Sequence, residues 1–372
     1  MFRDVLRPRL APLLAAIGTA ALALGALEWV LTPDLFRDDR LGSLLVDRLG
    51  DNGYVIHAVV NAEKTAAPSV VFLGGSAARQ LIELEGMEAR LEAAVGSDLR
   101  FLHLSSSDQS FSEDLALLAN LDLAPKSLVF VSVSPLRLYF STETAAIEYR
   151  TPKKYLPDET VLRDVLVEHG QSSGTPPRIV RASFLIREFL HLSRLKDHAQ
   201  RMVAGILAAE CSWGCMRNHV ASALVMPAYI DGRYHVSIPL PTTPEARRRK
   251  LEEARRGLFL AQRKIAESKD YFIDVIGRVV ALGKAKGATV VLIDLPNDPW
   301  LTDSIPFPWS EYDALLSAVR GTDTPYLDLR RLPNFGDELF VDLIHVSTEG
   351  RRRFGPVFVD AVKRYLTKDG SR

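Results

Sequence analysis

The sequence predicts an α/β fold, in which a parallel β-sheet is covered by helices. Short apolar runs alternate with longer helix-like runs, and the apolar runs in the first half of the chain end in polar or glycine-rich loops. This alternation is typical of parallel sheets with right-handed crossovers, whose loops lie at one edge of the sheet. In addition, 47% of the 372 residues are hydrophobic and 25% are charged, which suits one large domain or two modest ones.

Five strands are predicted, each from a short apolar run bounded by turn residues. They lie at 69–73, 99–104, 128–133, 289–295 and 325–329. Helices are predicted between and after these strands, at 77–94, 113–121, 244–287 and 347–366. Together these elements predict a five-stranded parallel sheet with its connecting loops at one edge.

The longest predicted helix begins with recognisable capping residues. Thr242 or Thr243 is expected as its N-cap, with Pro244 at the first helical position and Glu245 in the first turn. The basic run at 247–250 is followed by acidic and further basic residues, which indicates a solvated helix face with local ion pairs. A phosphate-binding patch is the less favoured alternative.

The strand pattern is interrupted over residues 139–241, where no comparable series of strands is predicted. Proline, glycine and serine residues punctuate the segment at 170–177, and helix-like runs follow at 180–195 and 196–209. We interpret the segment as a largely helical insertion that caps the functional edge of the sheet. A separate functional module is the less favoured alternative.

The N-terminal region predicts a membrane anchor. Arg3, Arg7 and Arg9 precede an uncharged run of 18 residues, 10–27, which is at the lower limit for a membrane span. Trp29 lies where an interfacial aromatic residue is expected, and the arginines place the N-terminal side in the cytoplasm. We therefore expect a single-pass protein of the inner or cytoplasmic membrane. A cleaved signal peptide and a buried soluble helix are alternatives, and the uncleaved anchor is favoured because the run is long for a signal peptide.

The predicted anchor and strands divide the chain into four parts. They are a cytoplasmic tip and transmembrane signal-anchor at 1–33, a connector with a short helix at 34–67, the main domain at 68–366, and a tail at 367–372. If the anchor spans the membrane as predicted, the main domain is extracytoplasmic, which in a bacterium with two membranes means periplasmic.

Charge and cysteine usage exclude some classes of partner. Lys+Arg 46 balances Asp+Glu 46, and a neutral chain without a basic stripe argues against a nucleic-acid partner. Cys211 and Cys215 have no paired histidines nearby, so they do not predict a zinc site. A small local disulfide and two buried thiols both stay open for these cysteines.

A candidate nucleophile follows the first predicted strand. Apolar residues 70–73 lead into Gly74, Gly75 and Ser76, and a helix-like run follows. This pattern predicts a tight turn that lifts the Ser76 hydroxyl above the sheet edge, where ligands of open α/β sheets bind. Taken alone, the turn also fits a phosphate site or tight packing. It differs from the Gly-x-Ser-x-Gly elbow, since Ala78 occupies the position of the last glycine.

A candidate base lies just before the last predicted helix, where Asp342 precedes His345 by three residues. At that spacing the carboxylate can fold back onto the imidazole, hold one tautomer and stabilise the imidazolium. Ser347 or Thr348 then begins the helix, which fixes His345 on a rigid element. An aspartate three residues before a histidine is often only surface polarity. In one α/β domain with Ser76, however, the pair predicts a nucleophile–base–orienter set.

Through these motifs the sequence resembles the SGNH (GDSL-like) hydrolase superfamily, and more narrowly its membrane-anchored bacterial members related to the DltD and alginate O-acetylation proteins. The resemblance covers residues 68–366 without the insertion. Residues 74–76 match the first family block, and residues 342–350 match the last block closely. The resemblance implies a flavodoxin-like three-layer α/β/α domain with five parallel strands, in which Ser76, His345 and Asp342 are catalytic.

The two middle family blocks differ from the family pattern. The second block of the family supplies a glycine whose N–H binds the oxyanion, and Ser107 is the best positional match here. The third block supplies an asparagine side chain, and Ser134 occupies that position. The resemblance thus implies an oxyanion hole made by the N–H groups of Ser76 and Ser107, with Ser134 assisting. Because a missing donor can cost about 3 kcal/mol, we expect slow catalysis or a hole rebuilt by other groups.

The resemblance implies an extracytoplasmic serine esterase or O-acyltransferase that acts through an acyl-serine intermediate. The expected substrate is an O-acylated cell-envelope or exported polysaccharide, and the envelope acylation machinery is an expected partner. No metal or organic cofactor is implied. Two alternatives stay open. One is a catalytically weak or inactive scaffold that binds glycan or assembles a glycan-modification complex. The other is a phosphate-binding receptor, although Arg79 is the only basic residue near the glycine turn.

Several other polar and aromatic residues lie near the predicted edge. Trp300 and Trp309 flank a proline-rich loop after the fourth strand and are candidates for stacking on a sugar, although loop anchoring is the commoner role. His103 ends the second strand, and core packing is favoured over a role in the site. No metal-ligand spacing links the aspartates of the fourth strand and its loop, Asp294, Asp298 and Asp303.

Overall fold

The computed structural model describes residues 51–62, 66–107, 109–139, 160–169, 243–304 and 306–368, together with residues 15, 18, 19, 22, 23, 156 and 158. Most of the predicted membrane anchor, the short helix of the connector, most of the insertion and both cysteines lie outside these residues. Within the described part of the chain, no helix combines the length and the apolar character that crossing a membrane requires.

The sheet consists of five parallel strands. They are β1 Ser69–Gly74, β2 Arg100–Ser105, β3 Leu128–Ser132, β4 Thr289–Asp294 and β5 Tyr326–Asp328. Their order across the sheet is β2-β1-β3-β4-β5, so the direction of winding reverses beside β1. The predicted α/β fold with five parallel strands is therefore confirmed. Open sheets of this kind bind ligands at the carboxyl edge, next to such a reversal.

Ten helices connect or flank the strands in the described part of the chain. They are α1 Asp51–Val60, α2 Ser76–Leu81, α3 Met87–Val95, α4 Phe111–Ala119, α5 Thr160–His169, α6 Pro244–Glu267, α7 Lys269–Ala285, α8 Pro299–Ser304, α9 Trp309–Arg320 and α10 Thr348–Lys368. Short 3₁₀ helices cover Pro135–Tyr139 and Asp337–Leu339.

Helices cover both faces of the sheet, which explains why β1, β3 and β4 are mostly apolar. On one face, Phe358 of α10 contacts Phe72 and Phe130, each with ring centroids 5.4 Å apart. On the other face, α7 approaches β4 so closely that a Cβ at Gly283 would lie 2.5 Å from the Val290 side chain. Two covered faces are compatible with a three-layer α/β/α arrangement.

Two predicted helices are divided in the structure, so the prediction of one continuous helix was wrong in each case. The run predicted over 77–94 forms α2 and α3, because Gly86 ahead of α3 has a φ of 67°, in the left-handed region. The run predicted over 244–287 forms α6 and α7, which meet at Ser268. Thr243 is the N-cap of α6, since its Oγ1 accepts a hydrogen bond from the Ala246 N–H at 3.1 Å.

Two helices add packing that the sequence did not predict in detail. α1 lies within the range assigned to the connector, and its Val55, Ile56 and Val59 are buried in the core. α5 lies within the predicted insertion and packs against α4. Its His169 also contacts Asp274 of α7. The helical character predicted for the insertion thus holds for this short described part.

Candidate active site

Ser76 is the first residue of α2 and follows β1 through Gly75. Gly74 has no room for a side chain, because a Cβ there would lie 2.4 Å from the Ala78 Cβ and 2.9 Å from the Ser132 Cβ. A glycine therefore permits the close approach of β1 to both α2 and β3. The turn leaves Ser76 half-buried at the carboxyl edge of the sheet. Its N–H is one of the helix-start donors that lack an intrahelical partner.

Asp342 and His345 lie in a short antiparallel turn between β5 and α10. An isolated bridge pairs Phe340 with Val346 on either side of them. Ser347 follows at once, and its Oγ accepts a hydrogen bond from the N–H of the third residue of α10 at 3.2 Å. Because a paired bridge and a capped helix enclose the turn, the two side chains are held on a defined backbone.

The structure brings the three predicted residues into one hydrogen-bonded chain. Ser76 Oγ lies 2.8 Å from His345 Nε2, and His345 Nδ1 lies 2.7 Å from Asp342 Oδ2. Asp342 Oδ1 accepts the backbone N–H groups of Ile344 and His345 at 2.9 and 2.8 Å. An ionised carboxylate can only accept hydrogen bonds, so it selects the tautomer that carries its proton on Nδ1. His345 Nε2 is then the acceptor for the Ser76 hydroxyl proton.

The surroundings of Asp342 favour its ionised form. Burial raises the pKa of Asp342, but the hydrogen bond and charge of His345 and the two backbone N–H groups together hold it below its ordinary value. The Asp342 and His345 side chains are 15% and 19% exposed, so the pair is shielded but still open to solvent. Chemically, the arrangement can take a proton from the serine hydroxyl and stabilise the imidazolium that forms.

The two other predicted oxyanion residues follow the strands on either side of β1. Ser107 follows β2 and is half-buried, whereas Ser134 follows β3 and is 2% exposed. Within the described part of the chain, the Ser134 hydroxyl has no hydrogen-bond partner. A buried hydroxyl without a partner is uncommon, which makes Ser134 a candidate donor to a bound group. Ser76, Ser107 and Ser134 thus lie at the carboxyl ends of three adjacent strands.

Sequence analysis missed a buried ion pair at the same edge. Arg137 lies in the 3₁₀ helix that follows β3 and is 4% exposed. Its guanidinium lies 2.8 Å from the carboxylate of Asp114, whose side chain is fully buried. The available signal was an arginine with apolar neighbours on both sides, three residues after Ser134. Such a pattern predicts that the charged group is enclosed and needs an anionic partner.

The two candidate sugar-stacking residues have different surroundings. Trp300 is 42% exposed and lies in α8, which follows a loop in which the Asp298 N–H donates to the Leu343 carbonyl at 3.0 Å. That loop therefore contacts the segment that holds the candidate base. Trp309 lies under the Arg330 guanidinium, 5.2 Å from ring centroid to charge, and packs against a neighbouring phenylalanine at 4.7 Å. These contacts favour the loop-anchoring interpretation for Trp309.

His103 packs in the core and lies behind the nucleophile turn. It is 4% exposed, its ring contacts Phe72 and Phe101, and its Nε2 lies 3.3 Å from the Ala78 carbonyl. Burial lowers the pKa of His103 to about 4, so the ring is neutral at pH 7 and donates Nε2–H to that carbonyl. These surroundings favour the packing interpretation over a role in the chemistry.

A second buried carboxylate lies at the end of β4, two strands away from β1 and its nucleophile turn. Asp294 is fully buried, and its Oδ2 lies 2.7 Å from the Tyr312 hydroxyl, 3.2 Å from the Tyr326 hydroxyl and 3.6 Å from Arg330 Nε. Its Oδ1 has no hydrogen-bond partner within the described part of the chain. Burial raises the pKa of Asp294 to about 7, against the opposing effects of Tyr312 and Arg330. This carboxyl therefore titrates near neutral pH.

A cluster with metal-ligand groups lies between α5 and α7. Donor atoms of Glu168, His169 and Asp274 lie within 4.8 Å of one another. Arg278 pairs with both carboxylates, and His169 Nε2 lies 2.7 Å from Asp274 Oδ2. A guanidinium inside the cluster repels a cation, so we interpret it as an ion-pair network between the two helices.

A scan of the sequence against models of known protein families gives no match, and a search of curated proteins gives none either. The fold and the site define the molecule as an α/β protein with a hydrogen-bonded serine–histidine–aspartate arrangement. That arrangement lies at the carboxyl edge of a parallel sheet, beside the reversal of its strand order.

Proposed function

We propose that this protein is an extracytoplasmic serine esterase or O-acyltransferase of the SGNH (GDSL-like) type. The single observation that supports it most is the chain of hydrogen bonds from Ser76 Oγ through His345 to Asp342, at 2.8 and 2.7 Å. Nucleophile, base and orienter in this geometry are the groups that a serine–histidine–aspartate triad uses for acyl transfer. The three groups come from opposite ends of the described domain, so local sequence polarity does not account for their meeting.

The fold agrees with this proposal. The strand order 2-1-3-4-5 is that of flavodoxin-like sheets, and the candidate nucleophile follows β1, beside the reversal of the order. The matches at residues 74–76 and 342–350 are the sequence basis for assigning the domain to the SGNH type. In the second match, a Cβ at Gly350 would lie 2.6 Å from the Leu339 carbonyl oxygen, which gives that glycine a packing reason.

The proposed reaction has two halves. Ser76 Oγ attacks an ester carbonyl while His345 Nε2 takes the hydroxyl proton, and the resulting imidazolium is stabilised by Asp342. The N–H groups of Ser76 and Ser107 and the hydroxyl of Ser134 donate hydrogen bonds that stabilise the negative charge on the carbonyl oxygen. His345 then gives its proton to the leaving alcohol, and an acyl-serine remains. In the second half, water or a sugar hydroxyl loses a proton to His345 and attacks the acyl group. The bond between the acyl carbon and Ser76 Oγ then breaks, and the imidazolium returns the proton to Ser76 Oγ.

The proposed substrate is an O-acylated cell-envelope or exported polysaccharide, in keeping with the predicted N-terminal signal-anchor and the resemblance to DltD and alginate O-acetylation proteins. The periplasmic location and a partnership with envelope acylation machinery belong to the same proposal. Trp300 is exposed at the start of α8, just after a loop that is hydrogen-bonded to the Leu343 carbonyl, and this position supports a role in contacting a sugar ring.

A second candidate function is a catalytically weak or inactive scaffold that binds glycan or assembles a glycan-modification complex. One observation favours it: serines stand where the family has its oxyanion glycine and asparagine, and the hydroxyl of Ser134 is shorter than an amide. Against it, a scaffold has no need of the tautomer-selecting hydrogen bonds that Asp342 makes.

The test is covalent labelling of the purified domain with a fluorophosphonate, together with hydrolysis of a small activated acetyl ester. We expect labelling and slow turnover for the wild type, and neither for Ser76→Ala or His345→Ala. The double variant should be no worse than either single variant, because a triad acts as a unit. Labelling that persists in Ser76→Ala would exclude Ser76 as the nucleophile. A wild type that neither labels nor turns over would favour the scaffold.

A further inference from the structure

Arg137 lies where three loops of the carboxyl edge meet. Its Nε and Nη2 both donate to the Gln109 carbonyl, at 3.2 and 3.0 Å, in the loop that follows β2. Its Nη1 donates to the carbonyl of Ser132, the last residue of β3, at 2.5 Å. Its aliphatic stem covers the turn after β1, because a Cβ at Gly75 would lie 3.6 Å from the Arg137 Cγ. The Arg137 side chain thus contacts the backbone at or just after the carboxyl ends of three adjacent strands.

The guanidinium is itself held by a buried polar network. Asp114 Oδ2 accepts from Arg137 Nη2 at 2.8 Å, and Asp114 Oδ1 accepts from the Gln109 side-chain amide at 2.7 Å. The Gln109 Oε1 in turn accepts from the Ser106 hydroxyl at 2.7 Å. The Phe111 ring lies 4.2 Å from the guanidinium carbon and closes the remaining side. Ser106, which ends this network, is the residue just before Ser107.

Stability alone is a poor explanation for such a network. Desolvating a guanidinium and a carboxylate costs about as much free energy as their attraction returns, so a buried ion pair is weak evidence for added stability. What the network does fix is backbone position. Arg137 donates to the carbonyl of Gln109, which is two residues after the proposed donor Ser107. It also donates to the carbonyl of Ser132, which is two residues before the proposed donor Ser134.

We propose that Arg137 is the positioning residue of the oxyanion hole, which it assembles by clamping the loops after β2 and β3 against the glycine turn after β1. This inference rests on the proposed function. An oxyanion hole stabilises charge only when its donors are held in place before the reaction. The family's glycine and asparagine are replaced here by Ser107 and Ser134. The clamp lets these substitutes keep a fixed geometry.

The first test compares Arg137→Lys with Arg330→Lys. Both arginines are enclosed and ion-paired, but Arg330 lies at the β5 side of the sheet, paired with Asp328 and Asp313. Lysine keeps the charge but cannot span two carbonyl groups and a carboxylate as the guanidinium fork does. We expect kcat to fall about 100-fold for Arg137→Lys with KM changed less than about threefold, since a misplacement of about 1 Å costs that much. For Arg330→Lys we expect kcat within about threefold of wild type.

A second variant avoids leaving the buried carboxylate of Asp114 without its arginine partner. Arg137→Met combined with Asp114→Asn removes both charges together and should lower kcat by at least as much as Arg137→Lys. The melting temperature of each variant reports whether it folds. Unchanged kcat in both Arg137 variants would overturn the proposal. So would equal losses in Arg137→Lys and Arg330→Lys, because these would indicate a general effect of losing an ion-paired arginine.

A readout without turnover separates this proposal from the proposed function. The amides of Ser106, Val133 and Arg137 are hydrogen-bonded in the two loops after β2 and β3, and hydrogen exchange at these positions should be about tenfold faster in Arg137→Lys but not in Arg330→Lys. If the wild type is inactive and exchange still accelerates, the clamp is supported and the proposed function fails. If exchange is unchanged, the clamp is wrong whatever the activity.

Discussion

The carboxylates of Asp342 and Asp294 lie at the same edge of the sheet, yet their surroundings shift their pKa values in opposite directions. Asp342 receives two backbone N–H groups and an imidazole, and its pKa is held below the ordinary value. Asp294 is buried with one oxygen unpartnered in the described part of the chain, and its pKa is raised to about 7. The difference shows that the imidazole and backbone N–H groups around Asp342 together outweigh the effect of burial on its pKa, whereas the partners of Asp294 do not.

The first test of this difference between the two carboxylates is to remove the charge of Asp342. Asp342→Asn keeps an acceptor for the backbone N–H groups but can present an amide N–H to His345, which then favours the wrong tautomer. We expect kcat for an activated acetyl ester to fall about 10⁴-fold, with a melting temperature close to that of the wild type.

Asp294→Asn is the matched control, because it makes the same change in the other carboxyl. Its kcat should stay within about threefold of the wild type. A comparable loss of kcat in both variants would contradict the distinction between the two carboxylates, and a small loss in Asp342→Asn would remove its assigned role.

A second prediction concerns Ser134, the proposed side-chain donor of the oxyanion hole. Ser134→Ala should lower kcat about 100-fold if its buried hydroxyl donates to the developing charge, since single donors of this kind are worth that much. Ser132→Ala is the control, because its hydroxyl is also buried and also lacks a partner within the described residues. Steady-state kinetics of the two variants should differ clearly. Equal rates for both would place the oxyanion hole elsewhere.

The smallest expected effect concerns stability and pH. The folded pKa of Asp294, about 7, lies above the unfolded value of about 4, so its protonated form stabilises the fold fully below about pH 4. That stabilisation is lost as the pH rises through about 7, at most about 1.4 kcal/mol per pH unit. Denaturant unfolding between pH 5 and 8 should show a steeper fall in free energy for the wild type than for Asp294→Asn. Parallel curves would contradict the raised pKa. Asp342 has the opposite sign, because its ionised form stabilises the fold and loses that effect in acid.

The strands and the candidate triad could be predicted because each has a local signature. β1, β3 and β4 are short apolar runs, which only a sheet covered on both faces buries well. The glycine turn before Ser76 and the three-residue spacing of Asp342 and His345 are equally local. The sheet then brings these distant segments together at one edge.

Contacts between distant segments had no such signature. The apolar neighbours of Arg137 indicate that it is enclosed, but they do not identify its partner Asp114, which lies 23 positions away. The packing of Trp309 under Arg330 likewise required the position of β5. Propensity and periodicity describe segments, whereas these features depend on which loops become neighbours.

The bond between Ser76 and His345 joins residues 269 positions apart, so it has a consequence for the order in which this molecule becomes reactive. A partly folded chain in which α10 has not yet docked holds a serine hydroxyl with no base, and an unassisted serine is a poor nucleophile. The proposed reactivity of Ser76 therefore requires that the segment around His345 has docked beside the glycine turn. A serine-directed probe added during refolding would accordingly time this docking step and leave earlier collapsed species unmarked.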